Sequence, residues 1–413
     1  MPHENAREPT GSLTGVSDAP TTPAPAIYLD HAATTPMRAE AIDAMMPFLR
    51  DRYANPSGAH RFARDARRAV DEARDAVAAV VGCGPNEVVF TGCGTESDNM
   101  AVLGAVARRD GVPVCSAIEH PAVAEAVART GGRTVGVDRC GRLDLDELAT
   151  TLDELVAGPG VAIVSVMSVN NEVGTLNDLA AVARVVRRHA PSALVHTDAV
   201  QAACWLDLRG ITPHVDLLSL SAHKFGGPKG VGVLVERGGP QVDPLIVGGG
   251  QERERRSGTH NTAGIVAAAT ALQLADDERD AERGRITGLR DALVDGLRAA
   301  IPDLVETVPP DHKVAGSAHV CIPGVESEAL LFLLDERGVS ASAASACASG
   351  AMEPSHVLAA LGVERDVAMG ALRLTLGHES AQGDVDGAID AVVDAVTQLR
   401  RRQRPDAMSR VGS

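Results

Sequence analysis

From Ile27 onward the chain alternates short aliphatic runs with stretches whose apolar positions recur at helical spacing. Val88-Val89-Phe90 precedes a helical pattern over 95–109, and Val161 to Met167 precedes one over 176–189. Leu194 to His196, Leu217-Leu218 and Val231 to Val235 then read as further strands. Strands that are apolar at nearly every position are buried on both faces, so this order predicts an α/β fold with a mainly parallel sheet covered by helices on either side. Ligands belong at the carboxyl ends of such strands. An Ala-rich helical stretch over 263–300 offers a join to a second domain, in which His319 to Ile322 is strand-like and Glu326 to Arg337 helical. The expected organisation is a large domain over 38–277 and a smaller α+β domain built from 26–37 and 278–405. Residues 1–25, rich in Pro, Thr, Ser, Ala and Gly without a hydrophobic period, predict a disordered tail, and 406–413 a second one.

The 413 residues are 45% hydrophobic but only 2% aromatic, so the core must be made of small aliphatic side chains. A net charge of −16 argues against a grip on nucleic acid, which needs clustered Lys and Arg. No apolar run approaches the roughly 20 residues of a membrane span, and the polar N-terminus lacks a signal pattern, so a cytoplasmic protein is expected. The seven cysteines, at 83, 93, 115, 140, 204, 321 and 347, include no C-x-x-C pair, which indicates neither a disulfide framework nor a zinc ribbon. Six of them fit small buried hydrophobes. Cys347 does not, because it lies in a run of small residues from Ser340 to Gly350 that can bury little.

Three places carry candidate chemistry. Lys224 follows the apolar run Leu217 to Ser221 and precedes Gly226-Gly227-Pro228. Strand alternation puts Ser219, Ser221 and His223 on one face with Lys224 at the exit, where a lysine can form a Schiff base with an aldehyde. A lone lysine is ordinarily a solvated surface charge, and the converging hydroxyl and imidazole groups are what weigh against that here. Phe90-Thr-Gly-Cys-Gly-Thr-Glu-Ser-Asp passes from strand to helix, with Thr95 as the expected cap and free N–H groups suited to a phosphate. Such turns also occur as plain connections. Asp198 ends an aliphatic strand, where a buried carboxylate needs a cation, although a helix N-cap aspartate would look the same.

Taken together these motifs resemble the cysteine desulfurases, in the NifS/IscS-like branch of the class V aminotransferase-fold enzymes that use pyridoxal 5'-phosphate. The resemblance runs from about Tyr28 to about Arg400 and rests on Tyr28-Leu-Asp-His-Ala-Ala-Thr-Thr-Pro, Gly94-Thr-Glu-Ser-Asp-Asn, Glu119-His-Pro-Ala-Val, Val169-Asn-Asn-Glu-Val-Gly, Thr197-Asp-Ala-Val-Gln, Ser221-Ala-His-Lys, Gly248-Gly-Gly-Gln-Glu-Arg, Arg256-Ser-Gly-Thr and Ser345-Ala-Cys-Ala-Ser-Gly. It implies the fold type I architecture, with a seven-stranded sheet in the large domain, and the conversion of L-cysteine to L-alanine.

The resemblance further implies a role for each matching position. Lys224 would hold the cofactor, Asp198 would meet its ring nitrogen, Asn171 and Gln201 would bond near its phenolic oxygen, and His120 would stack on the ring and manage the thiol proton. Gly94, Thr95, Ser221 and His223 would surround the phosphate, with Thr259 reaching in from a second subunit, which implies a homodimer. Arg373 would clamp the substrate carboxylate with help from Asn55. Cys347, on a segment long enough for the IscS-like branch, would take the sulfur as a persulfide and pass it to acceptor proteins of iron–sulfur cluster or tRNA thiolation pathways. No metal site is implied beyond contact of a cluster with Cys347. In isolation His120 reads as a structural histidine, Asn171 as a turn residue, and Thr259 and Asn55 as loop residues bonding their own backbone. A selenocysteine lyase or a pathway-specific sulfur donor would share these marks.

Overall fold

The computed structural model of the chain describes residues 27–343 and 355–402. After a short β1 (Ile27–Tyr28) come β2 (Val88–Thr91), β3 (Val112–Ser116), β4 (Arg133–Val135), β5 (Val161–Ser165), β6 (Leu194–Asp198), β7 (Leu217–Ser221) and β8 (Gly232–Glu236), of which β2, β5, β6, β7 and β8 are the expected aliphatic runs and β3 and β4 were not foreseen. The last seven form one sheet in the order β2-β8-β7-β6-β5-β3-β4. Strand β8 runs antiparallel to β2 and β7, and every other neighbouring pair is parallel.

Alternation along these strands sends side chains into two different layers. Val88, Phe90, Val164, Val233 and Val235 share a core with α2 (Arg61–Val81), α5 (Leu145–Val156), α6 (Leu179–His189) and the first half of the long helix Thr262–Ala300. Their strand neighbours Val89, Ile163 and Leu234 pack instead against α3 (Gly94–Arg108). Both faces are thus apolar, as the uninterrupted aliphatic runs require. The short α1 (Ala39–Arg50) lies on the long helix, and α4 (Pro121–Arg129) on α3.

With α7 (Leu208–Ile211) between β6 and β7, the long helix is α8, and its 39 residues join two apolar cores without a break. Ala267 to Ala275 belong to the first core, and Ile286, Leu293 and Leu297 to the second. The second core surrounds an antiparallel sheet of β9 (Val305–Glu306), β10 (Ser317–Cys321) and β12 (Ala371–Thr375) in the order β12-β10-β9, with β11 (Val339–Ser340) parallel to β1. Helices α9 (Ser327–Asp335), α10 (His356–Ala360), α11 (Arg365–Ala368) and α12 (Gln382–Arg402) complete it. A parallel bridge from Asp30 to Thr375 ties the first strand's exit to β12, and so brings residues near 30 to the ends of the large sheet.

The connection from β8 to α8 holds Glu252, Arg253 and Glu254 at φ of 50, 58 and 68°, a left-handed stretch costly for residues with a Cβ. It persists because Glu252 is buried in a clamp. Its two oxygens accept from Arg74 Nη1 and Nη2 at 2.7 Å each, from the Phe90 N–H at 3.0 Å, and bond His260 Nε2 at 2.7 Å. Burial alone would raise this carboxyl, but the His260 and Arg74 bonds outweigh it and hold the group at about 2.

A folded-state value below that of the unfolded chain means the Glu252 contribution is present above the ordinary carboxylate range and is lost as pH falls toward about 2. Glu252→Gln is expected to cost about 3 kcal/mol at neutral pH, since it strands Arg74 without its counter-charge. Urea unfolding from pH 7 to pH 2 checks this: the deficit should shrink steadily below pH 4, and a deficit independent of pH contradicts the clamp.

Candidate active site

The carboxyl ends of β2, β6 and β7 meet the segment Asp30–Thr35 and strand β12. Strand β7 ends at Ser221, and Ala222–Lys224 form a tight helical turn. His223 therefore leaves the face expected from strand alternation, while Ser219 and Ser221 stay on the strand. The turn carries Lys224 inward, where Nζ donates to the carbonyls of Ala32 (2.5 Å) and Ala33 (2.8 Å). Gln201 Nε2 donates to the same Ala32 carbonyl at 2.8 Å. Burial, with help from the nearby Arg373 charge, lowers the Lys224 ammonium to about 8 against the opposing pull of Asp198 and Asp30.

Asp198 closes β6 at 5% exposure. It accepts the Val200 N–H at 2.9 Å but caps no helix, since turns follow it. Burial pushes its carboxyl up, while His120 and Lys224 draw it back down. Among the described residues no Lys or Arg makes an ion pair with it, so the site has room for a further cation there.

Helix α3 begins at Gly94, one residue earlier than expected, and Thr95 is an exposed member of the first turn instead of its cap. The helix start packs closely on β7: a Cβ at position 94 would stand 2.9 Å from Val200 Cγ2 and 3.1 Å from Ser221 Cβ, so glycine fits there without a shift of its neighbours. Ser221 Oγ accepts the Gly94 N–H at a long 3.4 Å, and Cys93 supplies no side-chain cap. The remaining N–H groups of the first turn are left for an anion. His223 bonds Thr34 Oγ1 at 3.2 Å and is kept neutral, at about 4, by burial and by Lys224 and Lys229.

His120 is half-buried and caps α4, its Nδ1 accepting the Ala122 N–H at 3.1 Å, so its structural reading holds whatever else it does. Burial lowers its imidazolium, and the charge of Asp198 opposes that. On β12, Arg373 is buried between the Asn171 carbonyl (2.9 Å) and Asp30 Oδ1 (2.7 Å), and its Nε–H has no partner among the described residues. Asn171 thus contributes its backbone to the arginine. Cys347 lies outside the described residues. The chain on either side of it is fixed close by: Ser342 and Arg373 exchange backbone bonds of 3.2 and 2.7 Å, and the Ser355 hydroxyl donates to Glu172 at 2.6 Å.

Two expected residues are not brought to this cluster within one chain. Asn55 is exposed and accepts the N–H of Ser57, two residues on, at 3.0 Å, and Thr259 is exposed in the connection before α8. Cys93 is also exposed, unlike the buried setting expected of it, because helix α3 starts immediately after it; Cys115 and Cys321 are buried, and Cys83, Cys140 and Cys204 are partly so. Asp30, Ala32 and Ala33 had no role assigned from sequence, although they stand in a motif already singled out. A cavity of about 780 Å³, counting its open mouth, adjoins Lys224, Gln201 and Asn171 but extends toward Trp205 and Glu278, away from Asp198 and Gly94.

Residues 27–387 match the family model described as aminotransferase class-V. The chain belongs to this family. Among relatives of this class-V chain, an IscS-like cysteine desulfurase of Mycobacterium tuberculosis is 43% identical over 386 residues, covering 91% of this chain and 97% of the relative. The cysteine desulfurase IscS of Dictyoglomus turgidum is 38% identical over 382 residues, covering 91% and 95%. Of solved structures, a NifS-like protein superposes with a TM-score of 0.83 at 34% identity, covering 90% of this chain and 99% of that one. A NifS-like protein from Rickettsia africae does so at 0.81 and 27%, with the same coverage.

An amine held at about 8 should react well below the pH at which surface lysines do. Limited acylation followed by mass spectrometry is expected to modify the Lys224 peptide first, with a midpoint near pH 8. On cofactor-free protein, labelling of Lys224 that merely tracks the exposed Lys229 contradicts this Arg373-facing setting.

Proposed function

We propose that the chain is a pyridoxal-phosphate-dependent cysteine desulfurase that converts L-cysteine to L-alanine and transfers the sulfur to Cys347 as a persulfide, then to acceptor proteins for iron–sulfur clusters or tRNA thiolation. The observation that carries the reading is the Lys224 amine at about 8, buried at the strand ends between Arg373 and Asp198. The desulfurase names of relatives matching 91% of the chain support it. The reading includes a cytoplasmic homodimer, with 38–277 as the large domain and 26–37 with 278–405 as the small one. The exposed Leu245, Ile246 and Val247, on the connection that leads to Thr259, support a second copy there. None of the described helices is long and apolar enough to cross a membrane.

The residues fit pyridoxal phosphate in three respects. The glycine-floored start of α3 suits its phosphate, with Thr95, Ser221 and His223 around it. The buried Asp198 makes no ion pair with Lys or Arg among the described residues and would gain a cation from the ring nitrogen, while Asn171 and Gln201 would lie on the phenolic side. Lys224 supplies the amine for its aldehyde. When bound, the group provides an electron sink for charge developing at the substrate Cα.

The protein's own residues do the rest. Arg373 offers its Nε–H, which has no partner among the described residues, to the substrate carboxylate, with Asp30 and the Asn171 carbonyl fixing the guanidinium plane. Asn55 does not reach this carboxylate within one chain, so its help would have to come from a second copy. Lys224, neutral at half occupancy near pH 8, takes the Cα proton. His120 handles the thiol proton. The sulfur of Cys347 then bonds to the substrate sulfur as the substrate C–S bond breaks, and a proton replaces sulfur on carbon. Cysteine and a thiol become alanine and a persulfide, so atoms and electrons balance without an outside oxidant.

Lys224→Ala is expected to abolish both the yellow colour of the bound cofactor and alanine formation, checked by absorbance and amino-acid analysis. Normal turnover in that variant sinks the reading. Cys347→Ser should still bind cofactor and cysteine, yet lose alanine formation by about 100-fold or more, because a hydroxyl is a poor sulfur acceptor. Mass spectrometry after brief exposure to cysteine should find added sulfur on the Cys347 peptide of the wild type alone. Undiminished alanine from the variant, with the adduct on Cys93, would reassign the acceptor.

A further inference from the structure

Three carboxyl groups are buried together beneath the site: Asp98 and Glu119 at 1% exposure and Asp198 at 5%. Asp98 and Glu119 both sense the charge of Asp198. Like charges this close in a dry interior cannot all persist, so protons must be distributed among them. We propose that Asp98 is held as a neutral, proton-carrying acid and acts as a positioning residue, leaving Asp198 the anionic carboxyl for the cofactor ring. The inference rests on the desulfurase reading for its purpose, though not for its test.

The geometry decides where the protons go. Asp98 faces Asp198 and His196 from β6, Ser219 from β7, Glu119 from the turn after β3, and Cys93 from its own helix start. Among the described residues its Oδ1 has no hydrogen-bond partner, and the basic atom recorded against it is His196 Nε2 at 3.7 Å. That histidine is no counter-ion. It is fully buried, its Nδ1 bonds Ser165 Oγ at 2.8 Å and its Nε2 bonds Ser219 Oγ at 3.0 Å, and burial keeps it neutral down to about 3. Among the described residues no Lys or Arg pairs with Asp98. Asp198, by contrast, faces two groups able to carry positive charge, His120 and Lys224, and takes the Val200 N–H.

A neutral Asp98 also orders the polar chain behind the strands. The Ser219 hydroxyl reaches the Asp98 carboxyl as well as His196. The acid O–H then donates to Ser219, the Ser219 O–H donates to His196 Nε2, and the Nδ1–H donates to Ser165, so the links run in one direction while Asp98 Oδ1 keeps no partner among the described residues. This fixes the histidine tautomer and holds His196 and Asp198 two residues apart on β6. An ionised Asp98 would reverse the first bond and set a second negative charge behind Asp198.

The test uses the full-length protein freed of cofactor. A folded-state acid that keeps its proton where the unfolded chain releases it makes stability fall as pH rises. Asp98→Asn mimics the neutral acid and removes that dependence. Between pH 5 and 7 the wild-type unfolding constant, divided by that of Asp98→Asn, should rise by about tenfold per pH unit, as one proton requires. A flat ratio, or one that falls, overturns the proposal. Should Asp98→Asn fail to fold, infrared spectra of Ser219→Ala decide: a shifted carbonyl band of a protonated acid supports the chain, and an unmoved or missing band overturns it. Because neither measurement contains cofactor, a flat ratio leaves the desulfurase reading standing. A wild type that binds no pyridoxal phosphate removes that reading and leaves the proton assignment intact.

Discussion

Asp198 sits where an aliphatic strand ends in the dry interior, and a carboxylate there costs several kcal/mol unless positive charge is found for it. The rest of the site is arranged around that cost. His120 and Lys224 approach from neighbouring strand ends, and the start of α3 brings its positive dipole end to the same region. The other buried acids, Asp98 and Glu119, have no cation among the described residues and take the neutral form instead. One charge in an apolar setting thus determines which of its neighbours can carry another.

The same reasoning explains why Lys224 and Arg373 behave differently although both are buried cations. Lysine can shed its proton, and burial with the Arg373 charge beside it brings the amine to about 8. Arginine cannot, so its charge must be met directly, by the Asp30 carboxylate at 2.7 Å and the Asn171 carbonyl at 2.9 Å. The result is a proton acceptor next to a permanent cation, which is what removal of a proton beside a carboxylate requires. Ser342 and Ser355, the described residues nearest Cys347 that make these contacts, are fastened to Arg373 and Glu172.

Much of the architecture was legible because it follows from local pattern. Uninterrupted aliphatic runs of strand length, separated by helical periods, became β2, β5, β6, β7 and β8 within a few residues of their expected limits, β8 running antiparallel to β2 and β7, while the short β3 and β4 went unread. The helix expected over 263–300 became α8 from Thr262 to Ala300. Lys224 and Asp198 stood out because each follows such a run, and a polar group in that position needs a reason. The misplaced details were conformational. Thr95 looked like a cap, but the helix starts earlier, at Gly94 packed on Ser221 and Val200, and the turn after Ser221 rotated His223 off the strand face.

The sequence by itself determined the fold class, the family resemblance and which amine, Lys224, follows an apolar strand, because spacing and side-chain type are local properties of the chain. Only the tertiary structure decided how that amine and its neighbours are charged. Asp30 and Arg373 meet across a separation of 343 residues, Ala32 and Lys224 across 192, and the depth at which Asp98 and His196 lie depends on both layers of helices. Protonation responds to desolvation and to distance from other charges, and neither quantity exists until the chain has folded.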